Sequence, residues 1–265
     1  MVLAATVICG ACLFTSCKKD EETGNSDLRV AEKIIGKWVT ADIDGQPVPT
    51  NDKKVITFVS TTKAYISASL NTHPEVPTVW ANQTEVAVSI DGNKVTVTHH
   101  PDEHTTTVQE YTVSDISDNE FTADLKITAT VDGTVVHTQE ETVRYTKVTA
   151  DYSAAILGLW ECQELTGIET YNDANARLEF FADGTYRYWR KNDGGEWEAV
   201  TNREFQNYFV DGTLLATRWK NQGEEELREW WEIASLGGGE MQWTALRQNA
   251  DGTTAQQGMR WTKVN

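Results

Sequence analysis

The chain has 265 residues, 39% of them hydrophobic, and a formal net charge of −17, which suits two domains of ordinary size. The acidic excess is even: residues 30–150 hold 17 acidic and 9 basic side chains, and residues 151–265 hold 19 and 11. Neither half is a basic module, which excludes nucleic acid as a partner, because phosphate binding needs a concentrated basic surface.

Residues 1–16 are apolar but too few to span a bilayer, and they read as the core of a secretion signal peptide that takes no part in the fold. Leu13-Phe14-Thr15-Ser16-Cys17 resembles a lipobox, which makes Cys17 the expected lipidation site and residues 17–29 a tether. Lys18-Lys19-Asp20-Glu21-Glu22 follows at once, and this basic-then-acidic run resembles the export tag of surface-displayed Bacteroidetes lipoproteins. The implied address is the outer membrane, lipid-anchored, at the cell surface. Cys9 and Cys12 leave with the signal, so Cys162 is the remaining thiol and no intrachain disulfide is expected. Cys162 shares a strand face with Trp160, and residues 151–265 contain no His to serve as its base. It reads as a small buried apolar residue.

Asp27 is placed to cap a short helix through about Ile35, stopped by Gly36; Ser153 and Gly158 repeat the device. Ile34-Ile35-Gly36-Lys37-Trp38 is echoed by Ile156-Leu157-Gly158-Leu159-Trp160. Each segment then closes on a second matching pair, Arg144-Tyr145-Thr146-Lys147-Val148 and Arg260-Trp261-Thr262-Lys263-Val264. The spacing is nearly the same twice, which makes a tandem repeat of one domain. Between those ends Val86, Val88 and Ile90 alternate with polar or small residues, as do Phe121, Ala123, Leu125, Ile127 and Ala129. Such period-two patterning buries one face of a strand. Seven Asp-Gly pairs (Asp44, Asp91, Asp132, Asp183, Asp193, Asp211, Asp251) punctuate the strands with tight-turn chemistry. No long amphipathic helix interrupts them, so an up-and-down antiparallel meander is expected, and parallel α/β folds are excluded.

A Gly-x-Trp start and an Arg-aromatic finish resemble the lipocalin and streptavidin-like barrels, in particular the lipocalin-like domains of Bacteroidetes lipoproteins. The resemblance covers about 30–148 and 153–264, with domains at 30–149 and 150–265, and implies an all-β chain: two tandem lipocalin-like antiparallel up-and-down β-barrels. It implies that Gly36, Trp38 and Arg144 in the first barrel, and Gly158, Trp160 and Arg260 in the second, close the sheet. Each Arg would stack on its Trp.

The run from His99 through His100, Pro101 and Asp102 to His104 has the residue types of a transition-metal site. His99 and His100 point to opposite faces of a strand and Pro101-Asp102 is turn chemistry, so a polar hairpin tip is expected and no metal or cofactor is assigned. Asp42-Ile43-Asp44-Gly45 lacks the remaining oxygens of a calcium loop and reads as a turn. Glu224-Glu225-Glu226 reads as a solvated loop, and Glu229 with Glu232 as a chance carboxylate pair among 40 acidic residues.

Eight of the ten Trp lie in the second repeat. Alternation places Trp219 with Leu215, Trp231 with Ile233, and Trp243 with Met241 on inward faces, with Arg187 beside Trp189 on a further strand. These five residues, Arg187, Trp189, Trp219, Trp231 and Trp243, form the candidate ligand site. The first repeat's inward rows of Val, Ile, Leu and Ala offer little to orient a guest. Three readings follow: a non-catalytic protein binding a small apolar molecule or glycan in the second barrel; an interaction module with filled barrels serving an outer-membrane protein partner; or an enzyme, for which no convergent nucleophile and base is evident.

Overall fold

A computed structural model describes residues 29–70, 79–168 and 175–264. The leader 1–16, Cys17 and the tether as far as residue 28 lie outside the described residues. Arg29 already belongs to a helical turn that runs to Lys33.

The first domain contains β1 (Gly36–Ile43), β2 (Gln46–Pro47), β3 (Lys54–Phe58), β4 (Lys63–Leu70), β5 (Val79–Asp91), β6 (Lys94–His99), β7 (Thr105–Ile116), β8 (Glu120–Val131) and β9 (Thr134–Lys147). Each strand pairs with the next in space, and β1 also pairs antiparallel with β9, so the sheet closes. The two-residue β2 is a spur on β1. Asp44 and Asp132 sit at positive φ in the turns that Asp-Gly predicted. The apolar rows face the lumen as read: Val86, Val88, Val95, Val97, Phe121, Ala123, Leu125 and Val143 share one core.

The second domain contains β10 (Gly158–Thr166), β11 (Ala176–Phe180), β12 (Tyr186–Lys191), β13 (Trp197–Ala199), β14 (Arg203–Asp211), β15 (Leu214–Asn221), β16 (Glu226–Gly237), β17 (Glu240–Gln248) and β18 (Thr254–Lys263). First strand again meets last, β10 against β18. The ring is less complete: β13 and β14 are the ends of the sheet. It is drawn together by the bridge between Thr185 and Asn207, by Tyr208 N–H donating to Gly184 O at 2.8 Å, and by Tyr188 N–H donating to the Gln206 side chain at 3.1 Å.

The two halves share an entry device. Trp38 Nε1 donates to Ile34 O at 2.7 Å, and Trp160 Nε1 donates to Ile156 O at 2.6 Å. Both isoleucines are buried in their barrels, so the turn before each first strand plugs one end. In the second domain this plug is a turn over Ser153–Ile156, in which Ile156 N–H donates to Tyr152 O at 3.0 Å.

One expectation is corrected here. Arg144 and Arg260 do not stack on the tryptophans. Across the closing seam Trp38 faces Lys147 and Trp160 faces Lys263, and the lysine ammonium groups lie 4.9 and 5.3 Å from the indole centroids. Arg144 is opposite Asp42 and bonds to it and to Glu120; Arg260 is opposite Glu164 and bonds to it at 3.2 Å. The reason is register. Arg144 lies between the inward Val143 and Tyr145, and Arg260 precedes the inward Trp261, so alternation on the last strand turns each arginine outward; bulges on the first strand, between Thr40 and Asp42 and between Cys162 and Glu164, set the two carboxylates opposite them.

The barrels pack side by side. Val39 and Val55 on the outside of the first meet Phe209, Leu214, Ala216 and Trp230 on the outside of the second, with Trp80 and Val148 at the margin. Trp80, Phe209 and Trp230 pack as a triad with centroids 5.0–5.5 Å apart. Burying each such ring contributes about 1.5–3 kcal/mol. Around this apolar centre lie Lys37–Asp211 at 2.5 Å, Ser67 donating to Asp211 at 2.5 Å, and Lys53–Glu232 at 2.8 Å. Thr50 Oγ1 accepts from Leu246 N–H at 2.8 Å.

Candidate functional site

Inside the second barrel, the end next to the plug is a packed aromatic column. Trp160, Phe180, Tyr208, Trp231, Trp243 and Trp261 belong to one buried cluster. Trp243 lies 4.7 Å from Trp261 and 5.8 Å from Trp231, centroid to centroid. Cys162 is buried in the same cluster, and burial pushes its thiol up to about 11. Its environment makes it a packing residue and a poor nucleophile.

The opposite end is different in chemistry. Arg203 enters the lumen because a bulge between Arg203 and Phe205 shifts it onto the face of Gln206 and Tyr208. Its guanidinium lies 5.0 Å from the Tyr188 ring and 5.2 Å from the Trp219 ring. Nη1 donates to Gln206 Oε1 at 3.0 Å and to the Tyr186 hydroxyl at 3.3 Å. Nε is buried and has no acceptor among the described residues.

Across the lumen, Arg247 lies 4.5 Å over the Trp231 ring. Its Nη2 lies 3.4 Å from Glu229, and its Nη1 donates to Trp230 O at 2.8 Å and to Asn51 of the first domain at 2.6 Å. Burial among the barrel walls raises the Glu229 pKa above the usual carboxylate range; Arg247 and a hydrogen bond from Trp231 oppose that rise. Burial lowers Arg247 from its ordinary value, and Glu229 opposes the change. Burial also raises Tyr186 strongly; Arg203 opposes this, and Glu229 adds to it. The mouth thus brings Arg203, Tyr186 and Tyr188 together with the Arg247–Glu229 pair. It offers a stacked guanidinium, two phenols and a carboxyl group around an aromatic floor, which suits binding a ring or an anion.

Of the five residues expected to line a ligand site, Trp231 and Trp243 are in the core cluster, and Trp219 stacks on Arg203 at the mouth. Arg187 and Trp189 are corrected to the outer face. Phe180 faces Tyr186 and Leu178 faces Tyr188 across the β11–β12 pair, so the intervening Arg187 and Trp189 meet Glu179 and Arg177 outside. A one-residue shift exchanges the two faces of a strand. The row Tyr186–Tyr188 is as aromatic as the row Arg187–Trp189, so β12 alone does not decide. The neighbouring β11 does, because Leu178 and Phe180 alternate with Arg177 and Glu179.

Sequence reasoning missed Arg203, Gln206 and Arg247 and set Glu229 aside. It paired Glu229 with Glu232, but the two face opposite ways: Glu229 into the lumen and Glu232 to Lys53 at the domain interface. The histidine run forms a hairpin tip. His99 is buried, and burial lowers its pKa. His100 pairs with Thr106 at 3.0 Å, and His104 pairs with Asp132 at 2.8 Å.

No family model and no curated protein matches the chain. Among solved structures it is similar to a double mutant of Transferrin Binding Protein B (TbpB), a vaccine antigen from Haemophilus parasuis Hp5. The identity is 12% over 75% of this chain, with a TM-score of 0.23, and the chain spans 42% of the length of that protein. It is also similar to a candidate outer membrane protein from Bacteroides fragilis NCTC 9343, at 11% identity over 88% of this chain and 99% of that one, with a TM-score of 0.21. Likeness at these levels carries no argument about the site.

Proposed function

We propose that the chain is a non-catalytic, lipid-anchored outer-membrane protein that binds a small apolar molecule or a glycan at the mouth of its second barrel. The observation that supports this reading is Arg203. A guanidinium clamped between Tyr188 and Trp219, its Nε–H buried without an acceptor among the described residues, stands at the rim of an aromatic lumen. A guest carrying a carboxylate or hydroxyl pairs with this guanidinium while its ring lies on the aromatic planes. The incomplete seam between β13 and β14 adjoins this arginine and offers the entry path.

The test is tryptophan fluorescence of the full chain titrated with fatty acids, bile acids, haem and oligosaccharides. Saturable binding that Arg203→Gln and Trp219→Ala both weaken supports the reading. Binding indifferent to both changes contradicts it. Anchoring is tested separately with labelled fatty acid, which should enter the wild type and not Cys17→Ser.

A second reading has its own support. Outside the second barrel Trp197 lies between Arg177 at 4.2 Å and Lys191 at 5.1 Å, and Trp189 lies beside Arg187 at 5.6 Å. Such a cation–aromatic surface suits an outer-membrane protein partner, and pull-down lost in Trp197→Ala but kept in Arg203→Gln would favour it.

A further inference from the structure

The pairing of β16 with β17 stops short. It runs from Gly237 and Glu240 only as far as Glu232 and Thr244, although β16 begins at Glu226 and β17 continues to Gln248. Each strand keeps its other neighbour over that stretch: Trp230 lies opposite Ala216 on β15, and Arg247 opposite Ala255 on β18. The wall of the second barrel therefore lacks one ladder beside the mouth, and the backbone groups that would have formed it need other partners.

The first domain supplies them. Its turn over Thr50–Asp52 lies against both strands. Thr50 is fully buried, and its Oγ1 accepts the Leu246 N–H at 2.8 Å. Arg247 meets the facing strand, with Nη1 donating to Trp230 O at 2.8 Å and to Asn51 Oδ1 at 2.6 Å. Lys53 follows the turn and bonds Glu232 at 2.8 Å, where the ladder ends. A turn from one domain and a side chain from the other thus stand in for the missing β16–β17 bonds.

Arg247 also lies 4.5 Å over Trp231, with Nε donating to Gln257 at 3.2 Å and Nη2 3.4 Å from Glu229. Of its bonds the shortest goes to Asn51, in the other domain. Fixing an arginine costs side-chain entropy, so the acceptors around it decide whether it stays over the ring.

We infer that Asn51 is a positioning residue for the mouth of the second barrel. With Thr50 it draws the Arg247 guanidinium into the gap between β16 and β17 and fixes it over Trp231, so the first domain completes the wall of the site. This rests on the reading of the mouth as a binding site and extends that site to two domains.

Fluorine NMR of the unliganded full chain labelled with 5-fluorotryptophan tests the positioning. Asn51→Leu keeps the side-chain size and removes the acceptor; it should move the Trp231 resonance toward its place in Arg247→Met and leave Trp160, at the plug end, unmoved. Asn51→Asp keeps the acceptor and should restore the wild-type position. Cholate should bind Asn51→Leu about threefold or more weakly than the wild type, the scale of coupling through a packed contact. A Trp231 resonance unmoved in Asn51→Leu, equal movement of Trp160, or no restoration in Asn51→Asp would overturn the positioning. Equal cholate affinity in the wild type and Asn51→Leu would overturn its link to the mouth. Cholate that fails to bind the wild type contradicts the binding reading, and the Trp231 resonance still decides the role of Asn51.

Discussion

Lys147 lies over the indole of Trp38, its ammonium 4.9 Å from the ring centroid, and Lys263 repeats the arrangement over Trp160 at 5.3 Å. The same lysines explain the glycines of the two Gly-x-Trp motifs. Gly36 and Gly158 hold φ of +134° and +109°, and a Cβ on either would meet the lysine Cε at 3.0 or 3.2 Å. The motif is thus a three-part seal, with a glycine that lets the lysine pass, a tryptophan that receives it, and a plug carbonyl that accepts the indole N–H.

Lys263→Ala should therefore lower the stability of the second barrel by about 0.5–1 kcal/mol, the range for a solvent-exposed cation over a ring. Arg260→Ala should cost less, about 0–1 kcal/mol, because Arg260 and Glu164 keep 42% and 59% of their side-chain surfaces exposed. Urea unfolding of the two variants orders them. A larger loss for Arg260→Ala would restore the arginine to the closing role.

Much of the fold is legible in the sequence because period-two alternation and Asp-Gly turns are local signals. The repeated Gly-x-Trp marked first strands that do pair with last ones. What stayed hidden depends on single-residue insertions. The bulge beside Phe205 turned Arg203 inward, and those beside Asp42 and Glu164 set these carboxylates opposite Arg144 and Arg260. No composition or periodicity reports a bulge of one residue. Asn51 was hidden for another reason: a polar residue in a turn reads as surface until the other domain is set against it.

The interface predicts coupled unfolding. Asp211 is 2% exposed and serves Lys37 and Ser67 together. Asp211→Ala strands both partners and should cost about 3 kcal/mol, at the low end for a broken buried pair because Lys37 keeps 20% of its side-chain surface exposed. Calorimetry should show one transition for the wild type and two for the variant. Two resolved transitions in the wild type would contradict the coupling.

Cys162 should be inert in the folded chain. Its thiol is buried, and burial pushes it up to about 11. Iodoacetamide at about pH 8, below that value, should modify it after denaturation and not before. Rapid alkylation of the native protein would show that the column of rings opens.

Glu229 gives a pH signature. Its folded pKa is raised by burial, so the folded chain holds this proton more tightly than the unfolded chain. Its favourable contribution is complete below the ordinary carboxylate pKa and is lost as pH rises through the raised value. Glu229→Gln should gain relative to the wild type as pH rises above the ordinary carboxylate value. A difference in unfolding temperature that stays constant over that rise would contradict the shift.

The mouth of the second barrel is the central claim, and fluorine NMR of the chain labelled with 5-fluorotryptophan tests it most directly. Resonances of Trp219, Trp231, Trp189 and Trp197 are assigned by single substitutions, and cholate, a hydroxylated ring system with a carboxylate, is titrated in. The account predicts saturable shifts at Trp219 and Trp231, lost in Arg203→Gln, with Trp189 and Trp197 unmoved on the outer face. Shifts confined to Trp189 and Trp197, or no saturable shift at Trp219 and Trp231, would contradict it.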